Sequence, residues 1–217
     1  MRILALLLIA ASSVARAQVT DVQKLVEQLF PDNERMKTMR VADLVHELKI
    51  APGSRVADVG CGSGQFSIVL GKVVAPAGRV YCVDIDDLRD ARHNFRRNGL
   101  HDVTTVTSTE DDPKLAPASV DAVLIVNAYH EMEKWESMLR HIRESLKPGG
   151  RLVICDNTPQ RTAKRSRDAQ MDNHVIAESL VAADLDAAGF RILRRDSEFI
   201  DNPDSESQHW LIVATPK

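Results

Sequence analysis

Charge of one sign is what this chain most plainly lacks. Its 28 lysines and arginines face 31 aspartates and glutamates, a formal net charge of −3 over 217 residues. That balance offers no nucleic-acid or anionic-membrane surface, and the single basic run, Arg161 to Arg167, reads as a solvated loop or helix start. Cysteine is scarce as well. Cys61, Cys82 and Cys155 have no zinc-site spacing, and each falls in or beside an apolar strand segment, so all three are expected as small buried residues. Also missing is an apolar run long enough to span a bilayer: Ile3 to Ala11 is continuous but too short.

That short run has a different meaning. Met1-Arg2 places a positive charge before it, and Ala15-Arg16-Ala17 after it is an A-x-A cleavage pattern followed by Gln18. The three-part order predicts a secretory signal peptide over 1–17, cut after Ala17, and a periplasmic or secreted chain with no membrane attachment after cleavage. No cysteine follows the small residues, which argues against a lipoprotein. In an oxidising compartment three cysteines leave at least one thiol unpaired. Beyond the leader, residues 18–50 are expected as N-terminal helices and 51–217 as one α/β domain.

The informative stretch is R-V-A-D-V-G-C-G-S-G-Q-F, Arg55 to Phe66. Val56, Ala57 and Val59 make a short buried strand with Asp58 near its carboxyl end. Gly60, Gly62 and Gly64 then form a turn without Cβ atoms, and a helix begins near Gly64 with free N–H groups at its start. The next apolar run ends in Asp84, a carboxylate of the kind that accepts hydrogen bonds from a ribose diol. The pattern predicts a nucleoside-binding crevice at strand carboxyl ends. Its glycine spacing is not the G-x-G-x-x-G of dinucleotide folds. The loop holds no basic residue, and Asp58 repels a pyrophosphate while attracting a cation, directly or through water.

Periodicity lays out the remaining elements. Thr20 to Phe30 and Asn33 to Leu48 read as amphipathic helices, with Asp32 or Asn33 as N-cap of the second. Helices follow over Gln65 to Val74, Asp87 to Asn98, Lys134 to Leu146 and Asp172 to Ala188. Strands are expected over Asp102 to Ser108, Asp121 to Val126 and Arg151 to Asp156. Phe190 to Ile200 and Gln208 to Thr215, with no helix between them, form an antiparallel pair.

These residues resemble the class I S-adenosylmethionine-dependent methyltransferases. The likeness covers about residues 50 to 217 and includes S-V-D-A-V-L-I-V-N-A-Y-H-E-M (Ser119 to Met132) and L-K-P-G-G-R-L-V-I (Leu146 to Ile154). Small exported bacterial methyltransferase-domain proteins share the D-D-P run at Asp111, the V-N-x-Y-H run at Val126 and a lone histidine before the last long helix. The resemblance implies a Rossmann-like, doubly wound seven-stranded sheet, mostly parallel, closed by an antiparallel C-terminal β-hairpin. It implies S-adenosyl-L-methionine as cofactor and a small-molecule acceptor. Asp58, Gly60, Cys61, Gly62 and Gly64 would hold the methionine end and Asp84 the ribose. Ile85 and Asp86 would lie beside ribose and adenine, with Thr109, Glu110 or Asp111 bordering the adenine.

On the acceptor side, Asn127 is expected close to the transferred methyl, with Tyr129 and His130 in the loop above. His130 is the first candidate for a general base, since imidazole titrates near neutral pH. It could equally cap a helix or meet the cofactor's carboxylate; Tyr129 could stack on a substrate or simply pack. His174 is a second candidate base. Asp156-Asn157 resembles a metal-binding pair of catechol-type O-methyltransferases, but Asn127 stands where those enzymes carry another aspartate, so no metal is expected there. Two other functions remain open at this point: an exported adenosylmethionine- or nucleoside-binding module without transfer activity, and a nicotinamide-dependent oxidoreductase.

Overall fold

A computed structural model describes residues 21–158, 164–201 and 208–217. The expected leader and its cleavage point lie outside the described residues, as do the first three residues of the basic run at 161–167.

Seven strands form one sheet: β1 (Arg55–Val59), β2 (Arg79–Asp84), β3 (Val103–Thr107), β4 (Val120–Val126), β5 (Leu146–Asn157), β6 (Phe190–Ile200) and β7 (His209–Pro216). Their order is β3-β2-β1-β4-β5-β7-β6. The first five run parallel, and β7 lies antiparallel between β5 and β6. The expected mostly parallel sheet with a terminal hairpin is therefore the architecture observed. Chain order reverses direction between β1 and β4, which opens a crevice at their carboxyl ends.

Both faces of the sheet are covered, and the period of two in each strand sorts side chains between them. Ala57, Val59, Val123, Ile125, Ile154 and Ile212 pack on one face against α6 (Trp135–Ser145) and α8 (Glu178–Ala187). Val56, Ala122, Leu124, Val153, Leu211 and Val213 face the other way. There they meet α3 (Val41–Leu48) and α4 (Gln65–Val74). This is why the central strands read as unbroken apolar runs. The edge strand β6 instead carries Arg191, Arg194 and Arg195, charges that discourage another strand from pairing there.

The N-terminal helices do not form a separate body. Val26 of α1 (residues 21–29), Met36 of α2 (Glu34–Thr38) and Leu44 of α3 share one core with Val56 and Leu124. The single helix expected over Asn33 to Leu48 is broken at Arg40, which has φ 49°. Its guanidinium donates to the Phe199 carbonyl at 2.6 Å and lies 4.3 Å from the Phe199 ring, holding the bend against β6. Asn33 caps α2, its side-chain oxygen accepting from Met36 N at 3.1 Å.

Two further elements differ from the pattern reading. The long helix expected over Asp172 to Ala188 is α7 (Arg167–Met171) and α8, separated by a turn in which His174 has φ 54°. Carbonyls that a continuous helix would use internally are taken from outside. The Asn157 amide donates to His174 O at 3.1 Å, and Trp210 Nε1 donates to Ile176 O at 2.7 Å. Strand β5 begins at Leu146 rather than Arg151. Val120 pairs with Leu146 and Ala122 with Arg151, so Lys147-Pro148-Gly149-Gly150 is a bulge inside the strand. The expected helix over Asp87 to Asn98 is α5 (Arg89–Arg97).

Candidate active site

A cavity of about 460 Å³ opens at the carboxyl ends of β1, β2 and β4. Its wall includes Gly60, Cys61 and Gly62 of the glycine loop, Asp84, Ile85 and Asp86 after β2, Thr109 and Glu110 after β3, and Asn127 after β4. Nine of the residues singled out in the sequence thus come together around one space.

The loop is held by the carboxylate at the end of β2. Asp84 Oδ2 accepts from Gly62 N at 2.7 Å, and Oδ1 accepts from Asp86 N at 3.1 Å. Each oxygen keeps a lone pair free, the capacity a ribose diol requires. Gly60 is glycine for a reason other than ligand access: a Cβ there would sit 2.3 Å from Ala128 Cβ. Gly64 likewise faces Phe95, 2.5 Å away, and not the cavity. Gly62, with φ 52° and open space around it, is the glycine that faces outward.

The three cysteines are not alike. Cys61 and Cys82 form a disulfide, with Cα atoms 5.5 Å apart. All three are buried, as expected, but two of them also pair: Gly60 N and Cys61 N both donate to Val83 O, which folds Cys61 back beside β2. Cys155 is free and buried, and burial pushes its thiol pKa up.

Asp58 does not reach the cavity. It is buried behind the loop and accepts from Ser67 Oγ at 2.7 Å, tying β1 to the first turn of α4. Burial raises its carboxyl to about 6, against the opposing hydrogen bonds from Ser67. Direct attraction of a cation by Asp58 is therefore unavailable. Asp111 also lies off the wall; its carboxylate accepts from Thr109 Oγ1 at 2.8 Å.

Tyr129 belongs to the core. Its hydroxyl donates to Asp184 Oδ2 at 2.8 Å, and Asp184 in turn accepts from Arg167 at 2.6 Å. Burial and the Asp184 charge hold the phenol well above its ordinary pKa. The phenol is thereby placed away from the acceptor. His130 sits in the short 3₁₀ turn Tyr129–Glu131, buried, and does not line the cavity. Its Nδ1 is 2.7 Å from Asp156 Oδ1, and its backbone N donates to Asp156 Oδ2 at 3.1 Å. Burial disfavours the charged ring, but the Asp156 contact outweighs it and raises the His130 pKa. Glu131, which does line the cavity, stands 3.7 Å from His130 Nε2. His174 is exposed and off the wall, its ring 5.6 Å from that of His130.

Asn127 stands out chemically. It has φ 50°, lies in the cavity wall, and its buried Oδ1 has no hydrogen-bond partner among the described residues. A buried acceptor left unpaired costs about 1–3 kcal/mol, a cost that a ligand N–H donor there would remove. Ile85, about half exposed, leaves an apolar surface for a flat base. The wall also carries Asp84, Asp86, Glu110, Glu131 and Glu133 against the single guanidinium of Arg35, so it suits a cationic ligand. Arg35 was not legible in any motif; the N-terminal helix α2 delivers it, 6.0 Å from the Phe66 ring.

The profile of a family described as a methyltransferase domain matches residues 57–152, from β1 into β5. The match takes in a little under half of the chain and makes that stretch similar to the S-adenosylmethionine-dependent methyltransferases. S-adenosylmethionine is the cofactor of such methyltransferases, and the orphaned Asn127 acceptor, the Asp84 carboxylate and the acidic wall fit it. A demethylmenaquinone methyltransferase of Geobacillus stearothermophilus is 26% identical over 55% of this chain and 52% of its own length. A protein-L-isoaspartate O-methyltransferase of Aeropyrum pernix is 34% identical over 55% of this chain and 45% of its own length. The chain thus spans about half the length of these curated relatives. A SAM dependent methyltransferase from Aquifex aeolicus shares the fold with a TM-score of 0.70 at 23% identity, covering 90% of this chain and 97% of the other.

Proposed function

We propose that the chain is an exported S-adenosylmethionine-dependent methyltransferase acting on a small-molecule oxygen or sulfur nucleophile. The unpaired Asn127 Oδ1 in an acid-rich cavity carries this reading: it is a preformed acceptor at the end of β4, beside the loop that Asp84 holds. Asp84 receives the ribose hydroxyls, Ile85 and Thr109 flank the adenine, and Gly60 to Gly62 border the methionine end. When bound, the cofactor supplies a methyl group whose bond to sulfur breaks with the electron pair staying on sulfur. The chain's own tasks are to align the acceptor, exclude water and take up the acceptor's proton. Asn127, Met132 and Met138 border the acceptor space, and proton uptake belongs to the Glu131–His130 corner. Export is supported by the leader pattern at 1–17 and by the Cys61–Cys82 disulfide, which suits an oxidising compartment.

Calorimetry of the chain with adenosylmethionine, adenosylhomocysteine and NAD tests the cofactor. Binding of both adenosyl ligands and not of NAD is expected; binding of NAD alone would overturn the reading. The two relatives carry names that point to different acceptors, so the turnover panel should contain a hydroquinone, a carboxylate, a catechol and a thiol. Tight cofactor binding with no methyl loss across that panel would instead favour a binding module.

A further inference from the structure

Beside the cavity, three side chains from two segments point at one another. His130 Nε2 lies 3.7 Å from Glu131 Oε1, His174 Nδ1 lies 3.9 Å from the same oxygen, and one donor atom of each residue falls within 4.8 Å of the others. Two imidazoles and a carboxylate are the donor set of many catalytic zinc sites and of other divalent transition-metal centres.

The surroundings favour ligation over chance proximity. Asp156 Oδ1 takes Nδ1 of His130 at 2.7 Å, which leaves Nε2 facing Glu131 and fixes the ring, the carboxylate–histidine arrangement that supports metal-bound imidazoles. The neighbouring Asn157 donates its amide to the His174 carbonyl at 3.1 Å, holding that residue in the turn between α7 and α8 with φ 54°. Consecutive residues at the end of β5 therefore position both histidines. Of the three ligands only His130 is buried; Glu131 and His174 are exposed and free to rotate inward. In a tetrahedral zinc site with bonds near 2.0–2.1 Å, donors stand roughly 3.3 Å apart. The observed separations need a shift of a few tenths of an ångström to about 1.5 Å.

We infer that His130, Glu131 and His174 bind one divalent transition-metal ion of the Zn²⁺ class at the edge of the cavity. The site differs from the Asp156-Asn157-Asn127 arrangement, whose carboxylate is engaged by His130 and by the Asn157 backbone. Three protein ligands leave a fourth position open, and Glu131 belongs to the cavity wall as well, so an oxygen or sulfur acceptor can reach the ion. With an ion bound, Glu131 and His130 act as its ligands and no longer as proton acceptors, and the coordinated acceptor would lose its proton to solvent at lower pH than when free. Metal binding stands independently of the methyl-transfer reading; acceptor activation rests on it.

The test is calorimetric titration of the chelator-stripped full chain with Zn²⁺, with Co²⁺ as an absorbing probe and adenosylmethionine affinity measured separately. One ion per chain is expected. His174→Ala and Glu131→Gln should each weaken Zn²⁺ at least tenfold, and Asp156→Asn by roughly ten- to a hundredfold. Because Asp156 is buried and its variant could misfold, the exposed His174→Ala carries the decision, with circular dichroism as the folding control. No Zn²⁺ binding by the folded chain, or equal binding by His174→Ala, overturns the site. Loss of adenosylmethionine binding with Zn²⁺ binding intact would count against the methyl-transfer reading alone.

Discussion

Asp84 Oδ2 accepts the Gly62 N–H at 2.7 Å, so the carboxylate at the end of β2 also holds the glycine loop that rises from β1. One side chain shapes the loop and offers its remaining lone pairs to the ligand. Asp84→Ala should therefore weaken adenosylmethionine binding at least tenfold, from losing charge-assisted hydrogen bonds of roughly 1.5–3 kcal/mol. An unchanged dissociation constant by calorimetry would refute the ribose assignment.

Gly60→Ala tests the close approach between β1 and β4. The new Cβ would meet Ala128 Cβ at 2.3 Å, at a residue whose φ is 76°. Overpacking costs about 1–3 kcal/mol, and the left-handed backbone adds to it. Thermal unfolding should show a clear drop, and cofactor affinity should fall because Ala128 adjoins Asn127.

Tyr129→Phe separates packing from chemistry. The hydroxyl donates to the buried Asp184, so its loss should cost about 1–3 kcal/mol of stability. Turnover at a temperature where the variant is folded should stay within a few-fold of the parent. A hundredfold loss of turnover in the folded protein would return Tyr129 to the acceptor site.

The Asp58 carboxyl makes stability pH-dependent in an unusual direction. Its folded pKa is about 6, above the ordinary 3.8, so the folded state holds the proton more tightly than the unfolded chain. Relative to Asp58→Asn, the parent should lose stability as pH rises from about 4 to about 6, then run parallel above that. A shift of about two units corresponds to roughly 3 kcal/mol. Urea unfolding of both proteins across that window checks it; a constant difference would mean Asp58 titrates normally.

Reduction should destabilise the chain. The Cys61–Cys82 bond spans a separation of 21 residues, and closing a loop of that size contributes about 3 kcal/mol. Thermal unfolding with and without reductant, and of Cys82→Ser, should give matching drops, with a smaller response of the variant to reductant.

Much of this protein was legible in one dimension because local rules set it. Unbroken apolar runs marked strands covered on both faces, and the D-x-G-x-G-x-G loop with Asp84 marked the crevice, since turn geometry and diol recognition need those residues at that spacing. Helix breaks at Arg40 and His174 were not legible: periodicity continues through both, and the groups that divert the chain, Phe199 and Asn157, are distant in sequence.

What the sequence by itself determined is the fold class and the cofactor crevice, both encoded in short contiguous patterns. Only tertiary structure decided the rest: that Asp58 and Tyr129 turn inward, that Cys61 meets Cys82, that Arg35 joins the wall, and that His174 comes to His130. The physical reason is that orientation and partnership depend on which surfaces the sheet brings together, and a side chain's type carries no record of its remote neighbours.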